Sequence, residues 1–173
     1  MTGEHSSKQY DQELEGIRSQ VLLMGGMVET QFEEALECFR IGDIARAERV
    51  MAEDQAVNQL EVSLDDACSH LIVKRQPTAN DLRTVMATIK VITDLERIGD
   101  EATKIARSTK SLHERGGGSF AHYDTVRTIA RAASDMLHGA LDAFAREHLH
   151  VDNRALRALV HAQRGVLHVG SLL

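Results

Sequence analysis

Apolar residues return every third or fourth position from Tyr10 to Phe39, at Leu14, Ile17, Val21, Met24, Val28, Phe32 and Ala35. Such steps trace one stripe along a helix and cannot lie on one face of a strand, whose period is two. The stripe predicts a long first helix, and a rod apolar along its whole length needs other long rods to cover it. The following segments supply them. Gly42-Asp43 ends the first pattern and offers an N-cap, after which Val50, Val57, Leu60, Leu64, Ala67 and Leu71 form a second stripe reaching about Arg75. Gln76-Pro77-Thr78 interrupts it, because proline lacks an N–H donor and clashes with the preceding turn. A third helix runs to about Arg115, with Leu82, Val85, Met86, Ile89, Ile92, Leu95 and Ile98 spread over an arc wide enough to pack between two neighbours. Short connections require the three to fold back antiparallel, so an all-α fold with an antiparallel three-helix bundle is predicted for residues 1–115.

Composition excludes the alternatives. Aromatic residues make up 3%, Trp is absent and Pro77 is the single proline, against a sandwich or barrel of aromatic and β-branched strands. Gly116-Gly117-Gly118-Ser119 reads as a flexible linker. A new amphipathic segment begins beyond it, where Ala140-Leu141-Asp142-Ala143-Phe144 echoes Ala35-Leu36-Glu37-Cys38-Phe39. The echo suggests the first helix of a second bundle within residues 120–173. After Asp152 there is no Asp or Glu, but Arg154, Arg157, His161, Arg164 and His168 are present. Leu156, Leu159, Val160 and Leu167 suffice for one more helix.

A net charge of −6, from 26 acidic and 20 basic side chains, repels phosphate backbones and anionic headgroups, so no nucleic-acid partner is expected. The apolar run Val21 to Val28 is broken by Gly25-Gly26 and falls short of the roughly 20 residues that span a bilayer. No basic and apolar leader stands at the N-terminus. These features predict a cytoplasmic location without membrane insertion. Cys38 and Cys68 are isolated and read as buried thiols.

The segment that could carry chemistry is Asp94-Leu95-Glu96-Arg97-Ile98-Gly99-Asp100 in the third helix. At 100° per residue the Glu96 and Asp100 carboxylates stand within roughly 40° of each other on one face. Lys90, Asp94, Arg97 and Glu101 are placed on the opposite, solvated side. Like charges one turn apart repel by a few tenths of a kcal/mol, so something should compensate. The second helix offers Asp54, Asn58, Glu61 and Asp65 along a polar stripe. If the two stripes face each other, five carboxylates and an amide converge as hard oxygen ligands for a divalent or ferric metal. Arg97, Lys104 and Arg107 could instead neutralise a plain solvated face.

Other patterns carry less. Glu147 and His150 form a single Glu-x-x-His, where a di-iron bundle of the ferritin type needs two and further carboxylates. No phosphate-binding glycine motif is present, and no Ser/His/Asp set can be argued from residue order.

Arg75-Gln76-Pro77-Thr78-Ala79-Asn80-Asp81-Leu82-Arg83, followed by Asp94-Leu95-Glu96-Arg97-Ile98-Gly99-Asp100-Glu101-Ala102, closely resembles the PhoU family of phosphate transport regulators. Met24-Gly25-Gly26-Met27-Val28 and Glu53-Asp54-Gln55-Ala56-Val57-Asn58-Gln59-Leu60-Glu61 resemble its first two helices. The likeness extends from about Tyr10 to Arg146. It implies two tandem three-helix bundles, of which the second has no recognisable proline turn or acidic motif after Arg146. A frameshift, a truncated gene or an engineered alteration would each account for such a tail. The family's E(D)-x-x-x-D metal motif falls on Glu96 and Asp100, with Asp54, Asn58 and Glu61 matching less securely; iron, zinc, manganese or magnesium are the implied metals. By the same resemblance the protein is a homodimeric, non-enzymatic adaptor. It would link the ATPase subunit of a phosphate ABC transporter to a sensor histidine kinase and restrain the phosphate-starvation response when phosphate is plentiful. The competing expectation is a carboxylate-rich metal-binding bundle with redox or hydrolytic activity.

Overall fold

The computed structural model describes residues 3–115, 123–146 and 153–172. Five helices run through them: α1 (Gly3–Ile41), α2 (Ile44–Arg75), α3 (Ala79–Glu114), α4 (Tyr123–Arg146) and α5 (Asn153–Ser171). The expected linker at 116–119 and the Glu147/His150 pair lie outside the described residues.

The boundaries follow local chemistry. Gly42 closes α1 with a left-handed φ of 71°, and its N–H donates to the Cys38 carbonyl at 2.8 Å. Asp43 then caps α2, its carboxylate accepting the Arg46 N–H at 3.0 Å. Gln76 ends α2 with φ 45°, donating to the Ile72 carbonyl, and Pro77 prevents continuation. A side chain at left-handed φ is strained, whereas glycine is not. Gln76→Gly should therefore leave stability unchanged or raise it by up to ~1 kcal/mol, after the entropy it adds to the unfolded chain is offset. Urea midpoints test this; a loss above that size would show that the Gln76 side chain has a role of its own.

The whole predicted stripe of α1, from Tyr10 to Phe39, is buried. It meets α2 and α3 in the antiparallel trio, while α4 and α5 pack on α1 and α3 respectively and against each other. The α1–α3 pair is thus the central layer, with α2 on one side and α4–α5 on the other. Ion pairs of Glu13 with Lys74 and Arg75 tie α1 to α2 and hold the Glu13 carboxyl down at about 2. The Tyr10 hydroxyl donates to the Asp81 carbonyl, joining α1 to the start of α3.

Helix α4 runs antiparallel to α1, from the Glu33–Arg40 level to Arg18, which reaches Phe144. Their approach is close: a β-carbon on Gly25 would stand 2.3 Å from a Leu141 methyl. Helix α5 returns antiparallel to α4, where a β-carbon on Gly165 would stand 3.0 Å from Ala133 and 3.2 Å from Met136, and it therefore runs parallel to α3. One continuous core spans all five helices.

Two details of α3 differ from the sequence expectation. Asp94 and Glu101, placed on the solvated side, are both 9% exposed. Seven residues apart, they share the face that α5 covers, where a β-carbon on Gly170 would lie 2.8 Å from the Glu101 carboxylate. Conversely, Leu82 and Met86 are 37% and 47% exposed. The buried arc is rotated toward Thr84, Thr88, Thr103 and Thr109, which an apolar stripe omits. Thr88 and Thr109 can be buried because their hydroxyls donate to the carbonyls one turn back.

Candidate functional site

Glu96 and Asp100 project from the outer face of α3, both half-buried, beside the polar stripe of α2. Asp54, Asn58 and Glu61 are half-buried on that stripe, and Asp65 is exposed below them. Burial raises the Glu96 carboxyl first, and the charges of Asp100, Glu61 and Asp54 raise it further. Glu61 is raised likewise by burial, then by Asp65 and Asp100. The α2 and α3 carboxylates therefore share one field.

Among the described residues, none of Asp54, Glu61, Asp65, Glu96 or Asp100 forms an ion pair. Arg97 lowers Glu96 only as the smallest contribution, and Lys104 is engaged by Glu101. The repulsion is left largely uncompensated. It sets a sign: a carboxyl held above its unfolded pKa binds more protons in the folded state, so stability falls as pH rises through that raised value. Glu96→Gln should accordingly stabilise the protein at pH 7 by ~0.5 kcal/mol, with the gain disappearing below the ordinary glutamate pKa. Urea melts at the two pH values check this; an equal gain at both would assign the effect to something other than charge.

Behind the carboxylates lies a contribution that the sequence reading missed. Gln31 of α1, 3% exposed, donates through Nε2 to Asp54 Oδ1 at 2.9 Å and to Thr103 Oγ1 at 3.0 Å. Asn58 donates to the other Asp54 oxygen at 3.4 Å. Three helices are pinned through the one Gln31 amide, and Asp54 is left turned to internal hydrogen bonding. Gly99 makes room: a β-carbon there would stand 3.0 Å from Gln31 Oε1 and 3.7 Å from Asp54 Oδ1. The available signal was a glutamine within the buried register of α1, between Val28 and Ala35.

The donor set suits a hard cation by chemistry: carboxylates with no cationic partner, and two buried amide oxygens, Gln31 Oε1 and Asn58 Oδ1, with no hydrogen-bond donor. It does not form a closed cage. Among the described residues no three Asp, Glu, His or Cys side chains stand close enough to share one ion. A metal would be held at the surface by Glu96 and Asp100, with Glu61 nearby and Asp54 and Asn58 supporting from within.

Comparison with known proteins bears on the same segment. The PhoU domain family model matches residues 21–109, which include Gln31, the α2 stripe, Glu96 and Asp100. A phosphate-specific transport system accessory protein PhoU from Serratia marcescens is 46% identical over 147 residues, covering 82% of this chain and 58% of the relative. A homolog from a Burkholderia species is 40% identical over 161 residues, covering 92% of this chain and 67% of its own length. The crystal structure of PhoU from Pseudomonas aeruginosa superposes with a TM-score of 0.78 at 33% identity, over 94% of this chain and 92% of that one. That coverage takes in most of α4 and α5. The chain spans 58% of the length of the Serratia and Escherichia coli relatives.

Proposed function

This chain belongs to the PhoU family, and from that premise we propose that it regulates phosphate uptake and phosphate-starvation signalling as a cytoplasmic binding protein rather than an enzyme. Its relatives are described as accessory proteins of a phosphate-specific transport system. The adaptor role places it between the ATPase subunit of a phosphate ABC transporter and a sensor histidine kinase, restraining the kinase when phosphate is plentiful. The observation that carries this reading is the long acidic face of α2 and α3, whose carboxylates form no ion pair among the described residues and so remain available for docking. No helix among the described residues is long and apolar enough to cross a membrane, so contact with a transporter would be made through its cytoplasmic subunit. Residues 1–115 serve as the first repeat, and α4–α5 as the matching part of a second.

The test is a pull-down of the full chain against the transporter ATPase and the sensor kinase, paired with gene disruption. Recovery of both partners and derepression of phosphate-starvation genes at high phosphate are expected. Failure to recover either partner, with unchanged gene expression, would sink the adaptor reading.

A second reading, a metal-binding bundle with redox or hydrolytic activity, is favoured by the unpaired carboxylates and the two donor-less amide oxygens. A bound ferric or divalent ion would supply Lewis acidity or, for iron, electron transfer. The protein's part would be to present Glu96 and Asp100 on a rigid helix and to hold Asp54 through Gln31 and Asn58.

A further inference from the structure

Helices α1 and α4 do not close along their whole length. They touch where a β-carbon on Gly25 would meet Leu141, and one turn further along α1 the Glu29 carboxylate bonds His138 Nδ1 at 2.9 Å. Beyond that pair the helices part and leave a cleft of about 440 Å³. Counting in opposite directions from Glu29 and His138 sets Glu33 level with Ser134, Glu37 with Ala130 and Arg131, and Arg40 with Arg127. The floor is apolar, made by half-buried Leu36 and the edges of Phe39, Val126 and Ala130.

The two walls carry opposite charge. Glu29, Glu33 and Glu37 recur every fourth residue along α1, whereas Arg127, Arg131, Ser134 and His138 follow in steps of four, three and four along α4, with Asp135 one position beside that row. Facing rows of this kind pair across a closed interface, as Glu29 and His138 do. No other α1 acid reaches an α4 base among the described residues. Glu37 turns back to Arg40 on its own helix and Arg127 to Asp124, while Glu33 and Arg131, both exposed, form no ion pair. At the open end Arg40 and Arg127 stand level, and their like charges oppose closure of the cleft on itself.

We propose that this cleft docks an amphipathic helix of a partner protein, with its apolar side on Leu36 and Ala130, a basic flank toward the glutamates of α1 and an acidic flank toward the arginines of α4. A groove between two packed helices is where a third helix seats its side chains. Charge fixes the occupant further: a helix with both flanks of one sign is repelled by one wall, and a small anion leaves the glutamate wall unanswered. The row from Arg127 to His138 is about 17 Å long, which matches about three turns of the occupant. The cleft lies on different helices from the acidic face of α2 and α3, and its test uses neither transporter nor kinase, so the two readings fail separately.

The probe is a designed, labelled helical peptide of about five turns, with Leu along one stripe, Glu along one flank and Lys along the other, titrated onto the full chain and followed by fluorescence anisotropy. Saturable binding at about 0.1 M NaCl is expected, weakened about tenfold or more at about 0.5 M NaCl. Peptides with both flanks Lys, or both Glu, should bind at least about tenfold more weakly. Glu33→Lys with Glu37→Lys should cost about tenfold or more, as should Arg127→Glu with Arg131→Glu. Combining the four changes should recover most of the affinity, because the same peptide turned end for end offers its flanks to the exchanged walls. Recovery also shows that the one-wall variants fold. The milder pair Glu33→Gln with Arg131→Gln, confined to exposed side chains, should weaken binding severalfold while the circular dichroism melt stays unchanged. Absence of binding, or binding indifferent to these changes, overturns the proposal. Tightest binding by the all-Lys peptide overturns it in favour of the acidic face of α2 and α3, and tightest binding by the all-Glu peptide in favour of a plain anion site.

Discussion

Arg18→Ala is expected to lower the free energy of unfolding by ~3 kcal/mol and to loosen α4 and α5 before the α1–α3 trio. Arg18 is 3% exposed, and its Nη2 donates to the Phe144 carbonyl at 2.7 Å while the guanidinium lies 4.9 Å from the centroid of the Phe144 ring. The Phe144 carbonyl belongs to the last turn of α4, where no intrahelical donor remains. A hydrogen bond to a charged group contributes ~1.5–3 kcal/mol and a desolvated cation–π contact up to ~2. The buried charge subtracts from this, because Nη1 has no partner and the nearest carboxylate, Glu15, is 3.6 Å away. Truncation to alanine also leaves a cavity. Arg18→Met keeps the stem and removes the charge, so it should cost less than alanine. Hydrogen exchange would locate the effect: amides of α4 should exchange faster while those of α2 keep their protection. Equal loss across all helices, or none, would mean that Arg18 does not fasten α4 to α1.

The second large effect concerns the acidic face. Glu96→Gln combined with Asp100→Asn removes two formal charges from an acidic field in which, among the described residues, neither carboxylate forms an ion pair, and should reduce uptake of Fe3+, Zn2+ or Mn2+ at least about tenfold. Elemental analysis after dialysis against each metal reads this directly. If the adaptor reading holds, control of phosphate-starvation genes persists in the metal-free double variant, because regulation then rests on docking rather than on the ion. Loss of metal together with loss of a turnover present in the parent would transfer the function to the metal-binding reading. Unchanged metal content would remove Glu96 and Asp100 from any such site.

Much of this fold can be read from residue spacing. The Tyr10–Phe39 stripe, the Gly42-Asp43 stop and cap, and the Pro77 break place the first three helices to within a few residues, except that α1 begins at Gly3. Glu96 and Asp100 share a face because four residues make little more than one helical turn. These are local relations, and local backbone geometry suffices for them. The Gln31–Asp54–Thr103 network was not legible in the same way. It joins residues separated by 23 and 72 positions, and nothing in helical periodicity says which polar side chain of one rod meets which of another.

What the residues alone determined is the all-helical character, the length and breaks of the rods, and the adjacency of the two carboxylates, since each follows from the 3.6-residue turn and from glycine and proline chemistry. Which faces are covered was decided only by tertiary packing. Docking of α5 buries Asp94 and Glu101, which polarity would place in water, and the rotation of α3 toward its threonines leaves Leu82 and Met86 outside. A helix can present several competing faces, and burial goes to the combination that lets all five helices close one core while their polar groups find partners.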